Sequence, residues 1–551
     1  MRVILVLLLA SCAMAQPGPD LILYNGRVWT ADEARPEAQA VAVARGRISA
    51  VGSDAEVRTL AGPSTTSIDL KGRLLLPGFI DNHAHFMAGG FQLQSVDLRA
   101  ALTLRQFAAL IADRARRHPG RWITGGDWDH DAWPGGALPT RALIDTATPG
   151  TPVFVNRYDG HMGLANSLAL RLAGITRDTP DPPGGAIVKD PVTGEPTGIL
   201  KDEAMDPVWR VIPDPSREEL LEAARGALAE ARRYGITSVQ DISSRADVRT
   251  YRDLLASGEL TARMYCRLPL GEWRDLSEEG LTAGSGDAWI RMGSLKAFAD
   301  GSLGSSTALF FEPYDSDPTT RGLPSDIALS GALERWALSA DSARLQLSVH
   351  AIGDSANSLV LGIMERAAAR NTPWDRRFRV EHAQHVRPAD FGRFARLGVI
   401  ASVQPYHAID DGRWAEGRIG RERCKSTYPF ASFLASGVRL SFGSDWTVGP
   451  LNPLPGLYAA VTRRTTDGKN PGGWFPEQKI SVADAVRAYT INNAYAAFEE
   501  QEKGSIVPGK MADLVVLERD IFEIPAVEIA DVRVDLTIVD GRIVHRREGQ
   551  R

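Results

Sequence analysis

Two rhythms alternate along the chain. Near both ends, short apolar runs alternate with polar positions: DLILYNGRVWT and AVAVARGRISAVG within residues 20–52, ADLVVLERD and LTIVDGRIVHRR within residues 512–547. This period-two pattern, broken at Asn25-Gly26, Arg45-Gly46 and Asp540-Gly541, predicts short strands joined by tight turns. Strand-rich ends flanking a long middle predict a small β-sandwich built from both termini, residues 16–75 and 501–551.

The middle, residues 76–500, reads as alternating strands and helices. Eight short apolar runs recur: LLLPGFIDNHAH, ITSVQDI, RMYCRL, SLKAFADG, QLSVHAIG, RVEHAQH, IASVQP and LSFGSDW. Helix-period stretches lie between them, the clearest being EELLEAARGALAEARRYG at 218–235, which ends on Gly235 just before a strand. Eight such βα units are what a closed (β/α)8 TIM barrel needs, so the expected class is α/β. The stretch between the first and second runs is too long for a loop. Its own signals, WITGGDWDHDAW and PVFVNRYDGHMGLANSLAL, predict a large folded insertion at about 90–220, over the barrel mouth.

The composition suits a large barrel with a smaller domain: 551 residues, 44% hydrophobic and 24% charged. The net charge of −5 is spread without long like-charge runs, which points to a small-molecule substrate and away from nucleic acid or a membrane surface. The three cysteines, Cys12, Cys266 and Cys424, form neither a disulfide framework nor a CxxC metal site. The opening MRVILVLLLASCAMAQ has a basic Arg2, an apolar run too short to span a bilayer, and small residues. It reads as a secretory signal over residues 1–15, giving a periplasmic or secreted protein. Two processing routes stay open: cleavage after Ala13-Met14-Ala15, or a lipobox Leu9-Ala10-Ser11-Cys12 that would leave a lipid anchor on Cys12 of an outer-membrane lipoprotein.

Catalytic groups of a TIM barrel sit at the C-terminal ends of its strands. There the sequence places His83 and His85 (strand one), His350 (strand five), His382 (strand six) and Asp445 (strand eight), with Lys296 inside strand four. Residues i and i+2 of a strand share a face, so His83 and His85 can serve one ion. Neutral imidazoles and a carboxylate are the ligands expected of catalytic zinc. Any one of these residues alone is more often structural; their coincidence at strand ends is what points to a metal site.

The string PGFIDNHAH (77–85) resembles the PGxxDxHxH motif of the amidohydrolase superfamily, and VHAIGD, EHAQ, SVQPYH, FGSD and GSIVPGKMADL extend the likeness. RYDGH (157–161) with Asn166-Ser167, and LKAFADGSLGSSTALFFEPY, resemble the amidohydrolase family 3 branch, which includes N-substituted formamide deformylases. The resemblance implies one or two divalent ions, Zn2+ or another metal. His83, His85 and Asp445 would hold the first and His350 and His382 the second, with Lys296 at the place of a bridging carbamylated lysine. It further implies hydrolysis of a linear amide-type C–N bond in an N-acyl or N-formyl compound, with Asp445 as general base and then acid, and a homodimer as in many relatives. Deaminases, cyclic amidases and esterases or lactonases share the same fold and ligands, so these stand as the alternative. Trp128, Asp129, Trp133 and His161 in the insertion are candidates to line the substrate pocket, and Asp202 stands where relatives carry an acid near the site. Gln240 replaces a histidine common in relatives, and Ser306 replaces an arginine. Cys266 is a minor rival to Lys296 as metal bridge, although a buried structural thiol is its plainer reading.

Overall fold

In a computed structural model that describes residues 18–548, eight parallel strands form the body of a nine-stranded sheet: β1 (Phe79–Ala84), β2 (Ile236–Ile242), β3 (Arg263–Pro269), β4 (Ile290–Phe298), β5 (Gln346–Ala351), β6 (Arg379–His382), β7 (Ile400–Val403) and β8 (Leu440–Phe442), with the short Ser285–Gly286 antiparallel to β4. The leader expected at residues 1–15, with Cys12, lies outside the described residues. Strand neighbours follow chain order from β1 to β8, the arrangement that right-handed βα crossovers produce. No full ladder joins β8 to β1; the ring is nearly closed by loop contacts instead. The Asp445 N–H donates to the His83 carbonyl and the His85 N–H to the Trp446 carbonyl, both at 2.7 Å.

Asn493 staples the same seam from below. Its buried amide nitrogen donates to the carbonyls of Ile80 in β1 and Phe442 in β8, and its oxygen accepts the Phe442 N–H at 3.1 Å and the Ser441 hydroxyl. One side chain thereby supplies hydrogen bonds that the absent ladder would have made.

Two further sheets come from the chain ends. One has four strands, in the order Arg47–Gly52, Ala40–Ala44, Leu21–Tyr24, Thr66–Asp69; the other has six and carries Leu514–Leu517 beside Leu74–Pro77. Strand alternation lets the second sheet serve two cores. Leu75, Leu514 and Val516 pack with Leu21, Leu23, Val41 and Val43 inside the sandwich, whereas Leu74, Leu76, Val515 and Leu517 pack into the barrel side. Arg45-Gly46 and Asp540-Gly541 do turn hairpins, with φ positive at all four residues. Asn25-Gly26 does not: the strands it joins, Leu21–Tyr24 and Arg27–Trp29, belong to different sheets, so the chain crosses the sandwich there. A bidentate Arg263–Asp513 pair, buried and at 2.7 and 3.0 Å, ties β3 to this unit.

Between β1 and β2 a five-stranded mixed sheet runs in the order Gly185–Lys189, Pro196–Asp202, Met162–Ala165, Val153–Arg157, Ile123–Trp128. The helix Leu104–Arg117, capped by Thr103, buries Phe107, Ile111 and Ala115 at i, i+4, i+8 against that sheet. Replacing Asn493 by Leu should leave the Ile80 and Phe442 carbonyls unpaired and lower stability by about 2–4 kcal/mol. Denaturant unfolding measures this, and an unchanged midpoint would mean that the seam holds without the staple.

Candidate metal centre and active site

At the C-terminal rim of the barrel, His83 Nε2 and His85 Nε2 each lie 3.4 Å from Asp445 Oδ1. That oxygen is buried and accepts no hydrogen bond. A desolvated carboxylate oxygen without a donor is costly. A divalent cation between these three atoms would remove the cost, so the residues present fit such an ion. Burial, reinforced by the Lys296 charge, pushes His83 well down, so this imidazole is neutral and able to ligate. Asp445 (φ 52) and His382 (φ 68) both adopt left-handed backbone, rare outside glycine.

Three of the candidate ligand histidines have one ring nitrogen already fixed. His83 Nδ1–H donates to Glu381 Oε2, His350 Nε2–H to the Gly301 carbonyl at 3.0 Å, and His382 Nδ1–H to Gln404 Oε1 at 2.8 Å. Such bonds set the tautomer and leave the other nitrogen for a metal. Glu381 is fully buried and also accepts from Arg267 at 2.8 Å and from the hydroxyls of Ser348 and Ser402. Burial would raise its pKa, but the Arg267 charge, then His83, hold it well below the ordinary value. The ring centroids of His350 and His382 are 4.5 Å apart, and those of His83 and His382 4.9 Å. Lys296 Nζ lies 3.4 Å from His83 Nε2, and burial pushes its pKa down to about 8.

Sequence reasoning missed His407, which lies within SVQPYH but at no strand end. It opens the short helix Pro405–Asp411 after β7, and burial lowers its pKa. With His382 and Asp445 it forms a second group of candidate ligands whose atoms lie within 4.8 Å of one another. Glu381 and Arg267 were missed too: their partners come from other strands, so spacing along the chain carries no trace of them.

A cavity of about 1150 Å³ opens onto this centre, walled by His85, Lys296, His350, His382, His407 and Asp445 on the barrel side. Tyr158, Asp159 and His161 contribute from the insertion. His161 Nδ1 meets Asp202 Oδ1 at 2.6 Å. Burial alone would lower the His161 pKa, but the Asp202 bond and charge push it up to about 9, so the ring is cationic at neutral pH. Trp128 and Asp129, expected in the pocket wall, are not there. Trp128 is fully buried in the insertion core beside Phe107 and Trp133, donating to the Val155 carbonyl, and Trp133 is packed with it. Asp129 pairs with Arg413 at 3.1 Å and Arg157 at 3.8 Å. Gln240 bonds Arg379 and the Asn493 carbonyl, below the site. Ser306 receives Arg418 at 3.5 Å. The Cys266 thiol is buried, with its pKa pushed far up by that burial, and is outside the cavity wall, which removes it as a rival to Lys296.

A model of the amidohydrolase family matches residues 66–545. Protein LONG AFTER FAR-RED 3 of Arabidopsis thaliana is 39% identical over 522 residues, covering 92% of this chain and 88% of the relative. N-substituted formamide deformylase of Arthrobacter pascens is 30% identical over 549 residues, covering 96% of this chain and 99% of the relative. The crystal structure of an uncharacterized metal-dependent hydrolase from Pyrococcus horikoshii OT3 is similar with a TM-score of 0.75 at 27% identity, covering 92% of this chain and 99% of that one. With a family match that takes in the whole barrel, the chain belongs to the amidohydrolase family and is a metal-dependent hydrolase with a TIM-barrel core.

Proposed function

We propose that this enzyme cleaves the C–N bond of a linear amide, an N-formyl or other N-acyl compound. The observation that carries this reading is the convergence of His83, His85 and the unpaired Asp445 oxygen at the base of a roomy cavity. Similarity to an N-substituted formamide deformylase along nearly all of both chains supports the substrate class. His83, His85 and Asp445 would hold the first ion and His350 and His382 the second, with Lys296 at the place of a carbamylated lysine. Zinc is the ion these donors suit best. A bound divalent cation supplies Lewis-acid polarisation of the carbonyl and makes water easier to deprotonate.

The chain's own residues do the rest. Asp445 takes a proton from the attacking water and returns it to the departing nitrogen, without which an amine leaves poorly. The cationic His161, braced by Asp202, is available as a hydrogen-bond donor to the negative charge growing on the carbonyl oxygen. Glu381 keeps the His83 ring in one tautomer and one orientation. The lowered pKa of Lys296 leaves part of its amine neutral, the form that adds to carbon dioxide with loss of a proton to give a carbamate. The leader-like residues 1–15 support an exported enzyme acting on a small molecule outside the cytoplasm.

Zinc-loaded protein incubated with a panel of N-formyl and N-acyl amines should release free amine, and Asp445→Asn should cut kcat by about 10²–10⁴. If wild type frees no amine from any compound, or His83→Ala leaves the rate untouched, the assignment is wrong. Glu381→Gln should weaken zinc binding by about 10–100-fold in chelator competition, because the His83 ring loses its anionic partner; an unchanged affinity would reduce Glu381 to a packing residue. Apoprotein reloaded with metal should recover more activity with bicarbonate than after carbon dioxide removal, and Lys296→Ala should abolish that difference. Equal recovery in both buffers would argue against the carbamate.

A further inference from the structure

His407 differs from every other buried histidine of the described residues. Six are buried: His83, His130, His350, His382, His385 and His407. Five have a ring nitrogen hydrogen-bonded within the protein: His83 to Glu381, His130 to Arg157, His350 to Gly301, His382 to Gln404, and His385 to Thr427 and Gln384. The His407 ring has no such bond, and its Nε2 is buried without a partner.

Its nearness to His382 and Asp445 invites the reading of a third metal ligand. The candidate ligands His83, His350 and His382 are each held by a hydrogen bond at one ring nitrogen, whereas His407 has none, so metal content after its replacement separates a ligand from a substrate contact. A buried, unpaired ring nitrogen in a cavity wall is costly until something enters that can bond it. A neutral imidazole offers one lone pair and one N–H, so it can accept a hydrogen bond as readily as give one.

The position narrows the choice of partner. His407 lies within 4.8 Å of the Asp445 ligand atom, and Asp445 is the group that hands a proton to the leaving nitrogen. An atom bonded to His407 is therefore beside the scissile nitrogen. We propose that His407 accepts the N–H of a secondary amide at that nitrogen, selecting N-monosubstituted amides over N,N-disubstituted ones. This rests on the amide-hydrolase reading above. A tertiary amide has no proton to give and leaves the His407 nitrogen unpaired in the complex, the situation in which sites built around a hydrogen bond discriminate best.

The test compares an N-alkylformamide with its N-methyl-N-alkyl counterpart on zinc-loaded enzyme. Wild type should favour the secondary amide in kcat/KM by about tenfold to a hundredfold. His407→Ala should collapse that ratio toward one while keeping the wild-type metal content by elemental analysis, whereas His382→Ala should lose metal. Intrinsic reactivity and the bulk of the extra methyl cancel when the two ratios are compared. Should His407→Ala not fold, His407→Gln, which keeps an acceptor, should retain part of the preference. The proposal is overturned by a wild-type ratio near one, by a ratio that survives His407→Ala, or by loss of metal in that variant. Wild type that hydrolyses neither amide nor any other member of the panel overturns the amide-hydrolase reading along with it.

Discussion

A carboxylate sealed from water at the heart of the barrel sets the terms for everything above it. Glu381 has no solvent contact, and an isolated charge there would cost several kcal/mol. It persists because partners reach it from four other strands: His83 from β1, Arg267 from β3, Ser348 from β5 and Ser402 from β7. The same contacts that neutralise the charge cross-link the ring and orient a metal-facing imidazole. Packing alone would let the barrel tolerate many side chains at these positions. The buried charge does not, since removing any one partner strands another.

Asp81 plays a related part at the rim. It accepts the N–H groups of His83 and Ser444 and the Ser444 hydroxyl, binding the end of β1 to the loop that carries Asp445. Burial lifts its pKa to about 6 in spite of those bonds. Asp81 and Glu381 thus hold the frame under the candidate ligands, while Asp445 Oδ1 and His407 Nε2 are buried without a hydrogen-bond partner.

The barrel strands were legible because eight short, largely apolar runs recur between helix-period stretches, several of them carrying His or Asp at the C-terminal end. The loop-borne and insertion-borne parts were less so. Asn25-Gly26 has hairpin chemistry, but a local turn signal cannot say whether the flanking strands pair or part into two sheets. Trp128 and Asp129 sit in a motif-like stretch whose composition suits a pocket or a core equally. Phe107 and Arg413, distant in sequence, together with the nearby Trp133, decide the matter in favour of burial and ion pairing. His407 was visible as a letter in SVQPYH, yet nothing in its neighbours announces an unbonded ring nitrogen. That is a property of what surrounds it in space.

The strand Leu514–Leu517 faces the sandwich with one row of side chains and the barrel with the other. Its β-partner Leu74–Pro77 is emitted early in synthesis and must wait for it. Until the final stretch of polypeptide emerges, Leu74 and Leu76 lack the cover of Val515 and Leu517, and β3 lacks Asp513 for its buried arginine. The architecture therefore matures as a unit and late. Without Leu514–Leu517, the barrel-side row of Leu74–Pro77 would lie bare and apolar, so this one strand couples the integrity of the sandwich to that of the barrel.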